Sequence, residues 1–167
     1  MNRQEDPNPA YQYQNALNFS YTLFANRWNL ISIPLTPIDT SIAAVLGTGV
    51  RAVWQYDAST GRYTMPTSIE PGKGYWVWVN NTTERSITGS PVPDTFTLTL
   101  YPGWNLIGSY INLNTVRNRL ELSLGNNVYT LNQAVSQGLI SRAIYSYDGS
   151  RYVNELNDAD GFNRGKG

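Results

Sequence analysis

The sequence predicts a mainly β protein of two tandem antiparallel repeats packed together, sandwich- or barrel-like, with two or three short helices. Three observations carry that expectation. Trp28-Asn29-Leu30-Ile31 returns 76 residues later as Trp104-Asn105-Leu106-Ile107. An aromatic hairpin follows each copy: Trp54-Gln55-Tyr56-Asp57 with Arg62-Tyr63, then Tyr145-Ser146-Tyr147-Asp148 with Arg151-Tyr152. Short apolar or alternating runs between Gly, Asn and Pro turns fill most of the chain, which is the pattern of strands.

Residues 1–10 are polar with Pro7 and Pro9, and read as an arm; Tyr11-Gln12-Tyr13-Gln14 alternates aromatic and polar, a strand-forming pattern in need of an edge. Phe19–Phe24 and Phe96–Tyr101 are matching strands. Tight turns, Ala25-Asn26-Arg27 and Pro102-Gly103, predict that each forms a hairpin with the Trp-Asn-Leu-Ile segment after it. Asp39 or Thr40 caps a short helix that Gly47 ends. Val53–Asp57 and Arg62–Met65 form a hairpin around Ala58-Ser59-Thr60-Gly61, and Asp148-Gly149-Ser150 turns its second copy. Tyr75-Trp76-Val77-Trp78-Val79 is apolar on both faces, as in a strand held between layers, and Ser86–Val92 makes a last or edge strand.

The second copy is longer in its middle. Trp28 to Trp54 spans 26 residues and Trp104 to Tyr145 spans 41, so 41 − 26 leaves 15 extra. They include a second short helix after the turn Gly125-Asn126-Asn127, with Leu131, Ala134 and Val135 inward and Gly138 near its end. These signals divide the chain into a flexible arm over 1–18, a first repeat over 19–94, and a second repeat over 95–167 that has a helical insertion and lacks its last strand.

Composition excludes several chemistries. With 41 % hydrophobic residues and 13 % aromatics there is material for a core, while 12 basic and 12 acidic residues cancel and form no basic stripe for nucleic acid. Absence of Cys and His removes thiol nucleophiles, His-based triads and the usual zinc ligands. Apolar runs stay under about ten residues, against roughly 20 for a membrane span. Residues 1–6 lack the apolar stretch of a secretion signal, which leaves an intracellular protein or a mature fragment. No pair among the twelve acids stands out as a catalytic dyad, so no enzyme, catalytic residue or cofactor is expected.

Trp28–Leu35, Trp54–Asp57 and Pro71–Val79, repeated in part at Gly103–Ile107, Tyr145–Asp148 and Gly165–Gly167, resemble a family of β-rich repeats in secreted and cell-surface proteins of bacteria and archaea. Its pattern is Gly-Trp-Asn-Leu-Ile-Ser-Ile-Pro-Leu, an aromatic-x-Tyr-Asp hairpin, then Pro-Gly-Lys-Gly-Tyr-Trp-Val. Arg27 stands where Gly is usual, Gly108-Ser109-Tyr110 replaces Ser-Ile-Pro, and the second Tyr-Trp-Val is absent. The resemblance implies an extracellular structural or adhesive module, with no catalytic residues to carry over.

Candidate sites follow from these patterns. Trp28, Trp54, Trp76, Trp78 and Trp104, with Tyr56, Tyr63, Tyr75, Tyr145, Tyr147 and Tyr152, are core residues of each repeat or a sugar-stacking platform; Trp54 with Tyr56 and Trp76 with Trp78 each share a strand face, and are the candidate glycan pairs. Asp57 and Asp148 suit turn capping. Asp158 and Asp160 before Gly161 have the composition of a calcium loop without its first ligand or terminal Glu, and read better as a solvated loop. Lys73 and Lys166 lack the surroundings of a phosphate loop.

The expected function is a non-enzymatic extracellular structural protein that self-associates, as a filament or surface-layer subunit, by strand complementation. The acceptor is the place after Gly165, Lys166 and Gly167; the donor is the arm, with Tyr11, Tyr13 and Ala16 or Leu17 in pockets. The alternative is a carbohydrate-binding or adhesive module cut from a larger surface protein. A plain spacer is the third reading.

Overall fold

A computed structural model describes residues 16–93, 95–108, 120–141 and 144–154. Period-2 and continuous apolar runs become strands, and the architecture is mainly β with two short helices; no described sheet closes into a barrel.

The first repeat holds β1 (Leu17–Leu23), β2 (Trp28–Ile31), β3 (Thr36–Pro37), α1 (Ile42–Leu46), β4 (Val50–Asp57), β5 (Arg62–Thr64), β6 (Tyr75–Val79) and β7 (Thr83–Ser90). They form two antiparallel sheets, of order β1-β7-β3 and β2-β6-β4-β5. The sheets pack face to face over Phe19, Leu23 and Ile87 from one side and Ile31, Tyr75, Val77 and Val79 from the other, with Val45 and Leu46 of α1 closing the core. Leu17 and Val53 add partly buried surface.

Helix α1 is only five residues long, and its ends are tied down by side chains. Ser41 Oγ accepts from Ala44 N–H at 3.3 Å, while Asp39 accepts from Ser41 N–H at 2.8 Å. At the other end Tyr21 donates to the Val45 carbonyl at 2.7 Å, and Arg85 donates to Ala44 and Val45 at 2.7 and 3.2 Å. Carbonyls that the helix leaves unpaired are thus bonded to β1 and β7.

Two expectations need correction. β1 and β2 do not form a hairpin: β1 pairs with β7 from Leu17↔Gly89 to Leu23↔Thr83, and β2 pairs with β6 from Trp28↔Trp78 to Ile31↔Tyr75. The turn between them, with Asn26 at φ +55°, carries the chain from one sheet to the other. β7 is the last strand of the first repeat, one of the two readings expected for that segment; the other, an edge, does not hold, since β7 lies between β1 and β3.

The second repeat contributes β8 (Glu121–Leu124), β9 (Asn127–Thr130), α2 (Leu131–Ser136), β10 (Tyr145–Tyr147) and β11 (Tyr152–Asn154). The expected helical insertion is α2, preceded by the β8–β9 hairpin. A capping box starts the helix: Thr130 Oγ1 accepts from Gln133 N–H at 3.3 Å and Gln133 Oε1 accepts from Thr130 N–H at 2.9 Å. Leu131 and Ala134 are buried as the pattern predicts. Residues 96–101, expected as a strand, take part in no described ladder.

Candidate functional site: an open strand position beside an aromatic strip

The first repeat shows what its strands depend on. Of its five strand pairings, β1–β7, β3–β7, β2–β6 and β4–β6 involve β6 or β7, and only β4–β5 does not. The two strands after Gly74, one in each sheet, therefore tie the first repeat together. Residues 96–101, 104–107, β10 and β11 match β1, β2, β4 and β5 in order. No described residue of the second repeat stands where β6 and β7 stand in the first.

Coverage differs accordingly. Leu23 is fully buried, while Leu100 at the matching position is 45 % exposed. Trp28 is 36 % exposed and Trp104 62 %. The Asn of each Trp-Asn-Leu-Ile copy locks the preceding turn: Phe24 N–H donates to Asn29 Oδ1 at 2.9 Å, and Asn29 Nδ2 donates to the Phe24 and Arg27 carbonyls at 3.0 and 3.2 Å. Asn105 repeats all three, with Tyr101 N–H at 2.9 Å and the Tyr101 and Gly103 carbonyls at 2.7 and 3.1 Å. Asn29 also donates across to Val77 of β6 at 3.3 Å; Asn105 has no such strand among the described residues.

Trp54, Tyr56, Trp76 and Trp78 prove to share one face of one sheet. The register sets Trp28 opposite Trp78, Trp76 opposite Trp54 and Tyr56 opposite Tyr63, all on the face away from the core. Tyr75, by contrast, is a core residue with no exposed surface, its hydroxyl accepting from Glu70 N–H at 2.9 Å; burial pushes its phenol up to about 12. On the outer face Trp28 meets Trp78 and Trp76 edge-on, with centroids 5.4 and 6.5 Å apart. Trp76 then meets Tyr147 and Tyr152 of the second repeat at 5.0 and 6.3 Å. Tyr152 contacts Tyr145 at 6.3 Å, and Tyr145 contacts Trp104 at 6.0 Å. One aromatic strip thus crosses both repeats.

Equivalent positions meet at the seam. Ile107 bridges Lys73, with Gly108 N–H donating to Gly72 O at 3.0 Å and Gly74 N–H to Leu106 O at 3.4 Å. A Cβ on Gly108 would lie 2.1 Å from the Cβ of Ser32, and Ser32 is the residue of the first repeat that matches Gly108. Tyr63 and Tyr152 also match. Burial chiefly, then the phenols of Tyr63 and Tyr147, raise the Tyr152 phenol. Contact between matching residues is what an approximate two-fold axis produces. Arg27 adds a seam contact that sequence reasoning missed, its guanidinium 4.1 Å from the Phe24 ring centre and against Gly149.

Asp57 and Asp148 are turn residues. Asp57 accepts from Ser59 N–H and Oγ at 2.9 and 2.6 Å, and Asp148 from Ser150 N–H and Oγ at 2.9 and 2.8 Å. The Ser59 and Thr60 hydroxyls hold Asp57 below its usual range, and the Arg151 and Ser150 bonds do the same for Asp148. Lys73 pairs with Glu70 at 2.9 Å.

The donor residues are placed only in part. Leu17 is not free to donate: it belongs to β1, pairs with Gly89 and packs on the core. Ala16 is exposed just before it. Tyr11 and Tyr13, the acceptor end Gly165, Lys166 and Gly167, and the calcium candidates Asp158 and Asp160 lie outside the described residues. Among the described residues no cluster of three or more acidic side chains could hold a metal, and no helix is long and apolar enough to cross a membrane. Comparison with protein-family models, curated proteins and solved structures finds no match for this chain.

Proposed function

We propose that this is a non-enzymatic, extracellular structural protein that self-associates by β-strand complementation, as a filament or surface-layer subunit, with its second repeat as the acceptor. The observation that carries this reading is the contrast between Leu23, buried between the two sheets of the first repeat, and Leu100, exposed at the matching place. Main-chain groups along 97–100, which no described ladder uses, offer an edge for an added strand, which would gain backbone hydrogen bonds and cover apolar side chains. The arm before Ala16, with Tyr11 and Tyr13 two residues apart, is the donor this chain offers to a neighbouring copy. Extracellular placement rests on the resemblance of the repeated motifs.

Light scattering across concentration tests the proposal on the full chain and on a version lacking residues 1–15, which leaves β1 whole. The full chain forms oligomers or fibres and the shortened chain does not. Two monomers of equal stability would sink it.

A second reading has its own observation. The strip from Trp78 to Trp104 presents aromatic faces and tyrosine hydroxyls on one side, suited to a neutral glycan. Quenching or enhancement of indole emission by a neutral polysaccharide, lost in Trp104→Ala, supports it; unchanged emission removes it.

A further inference from the structure

Three stretches of the chain carry the spacing Asn-x-Ser/Thr: Asn18-Phe19-Ser20, Asn80-Asn81-Thr82 and Asn81-Thr82-Thr83. That spacing sets a hydroxyl two residues after a primary amide, which is what enzymatic transfer of an oligosaccharide to asparagine requires. The fold treats the three differently. Asn18 lies inside β1 opposite Thr88, and its Oδ1 accepts from the Thr88 hydroxyl at 2.7 Å; the hydroxyl it needs, on Ser20, donates to Ser86 Oγ at 3.2 Å. Amide and hydroxyl are both held against β7.

Asn80 and Asn81 form the exposed bend between β6 and β7. The hydroxyl two residues after Asn80 belongs to Thr82, which accepts from Ala25 N–H at 3.1 Å and ties that stretch to the neighbouring turn. The hydroxyl two residues after Asn81 belongs to Thr83, and it donates to the Asn81 carbonyl at 3.1 Å. Only here is the hydroxyl bonded to the residue that carries the amide.

Asparagine has two ordinary uses in a turn, and Asn81 serves neither. It tolerates a positive φ, yet among the described non-glycine residues Asn26 alone adopts one. Its side chain can also bond the backbone of the turn, as those of Asn29 and Asn105 do. The side chain of Asn81 makes no hydrogen bond among the described residues. What sets this position apart is a solvent-facing amide beside a placed hydroxyl. Asn80, Asn81 and Thr82 are all exposed, so a bulky group on the amide disturbs no packed surface.

We propose that Asn81 is a site of N-linked glycosylation whose donor substrate is an oligosaccharide carried on a lipid pyrophosphate. Asn81 Nδ2 attacks C1 of the first sugar: the N–C1 bond forms and the bond from C1 to the pyrophosphate oxygen breaks. The lipid pyrophosphate leaves with the bonding pair, and the amide proton passes to a base of the transferring enzyme, with nothing oxidised or reduced. Such transfer takes place on the outer side of the membrane, so the proposal rests on the extracellular placement given above.

The test gives the folded full chain a purified oligosaccharyltransferase that asks only for Asn-x-Ser/Thr, together with a synthetic lipid-linked oligosaccharide. Intact mass rises by one glycan, and glycopeptide mapping places it on Asn81. Asn81→Gln, which leaves the Asn80 stretch intact, loses the glycan; Thr82→Ala, which removes the Asn80 stretch and keeps Thr83, retains it. No transfer to the folded chain, transfer to Asn18 or Asn80 in its place, or a glycan that survives Asn81→Gln overturns the proposal. Because enzyme and donor are supplied, location does not enter that result, and protease treatment of intact cells that make the protein tests location separately. A chain cleaved at the cell surface but unmodified at Asn81 removes the site and leaves the placement standing. A chain that accepts the glycan in the tube but is shielded inside intact cells removes the placement, and the proposal with it.

Discussion

Leu23 and Leu100 occupy the same place in two copies of one motif, yet one is sealed and the other is open. Their immediate neighbours are alike: each precedes an aromatic residue and a turn locked by the Asn of Trp-Asn-Leu-Ile. The local lock therefore forms whether or not the repeat is closed. What differs is remote in sequence, since Leu23 is flanked by β7, with Thr83 as its partner, and buried in a core that Tyr75, Val77 and Val79 of β6 complete. Local structure in this protein is set by short motifs, and burial by β6 and β7, one in each sheet.

The strongest challenge to that contrast is a matched pair of truncations. Leu23→Ala empties part of a closed core and is expected to cost about 3–5 kcal/mol, whereas Leu100→Ala costs under about 1 kcal/mol. Denaturant midpoints measure both, and equal losses would mean that the second repeat is closed as firmly as the first. A smaller difference comes from the two locks. Asn29→Ala strands buried backbone groups and the Val77 carbonyl, for about 2–3 kcal/mol, while Asn105→Ala loses the local bonds alone, for about 1 kcal/mol. Hydrogen exchange at Phe24 and Tyr101 locates each loss.

The gentlest probe is pH. Burial raises Tyr21 and Tyr75 above the ordinary phenol value of 10.0, so the neutral forms are favoured in the folded chain. Their contribution is whole below that value and falls away as pH climbs toward about 12, where Tyr75 titrates in the fold. Phenolate absorbance and circular dichroism followed together should show these two tyrosines ionising as the first repeat unfolds. Ionisation of both with the fold intact would count against the closed core.

Much of this fold is legible in the sequence, and what is not has a common cause. The hairpins β4–β5 and β10–β11, the apolar strand β6, the turn-capping Asp57 and Asp148, and Leu131 and Ala134 of α2 all follow from signals within about ten residues, whereas the cap of α1 is Ser41 and not Asp39 or Thr40, and Val135 is only half-buried. The tight turn after Phe24 misleads, because the same turn residues serve a hairpin or an arch between sheets. The choice falls to β6 and β7, some 50 to 60 residues away, which each claim one of the two strands. The strand pattern of 96–101 likewise shows only a capacity to pair. Among the aromatics, period-2 spacing groups Trp76 with Trp78 and Trp54 with Tyr56, but the register unites the two pairs on one face, and the seam extends them to Tyr147, Tyr152 and Trp104.

The meeting of Ser32 with Gly108 carries a historical consequence. A tandem duplication begins as two identical halves, and here the same site of each half touches the other. With a side chain on both, the atoms would stand 2.1 Å apart, so at least one copy has to be glycine. Two identical serine-bearing halves could not have docked as these do. Recombination that restored the serine to both would undo the joint, which makes this one site a barrier to homogenising the gene and a mark of when the halves became partners.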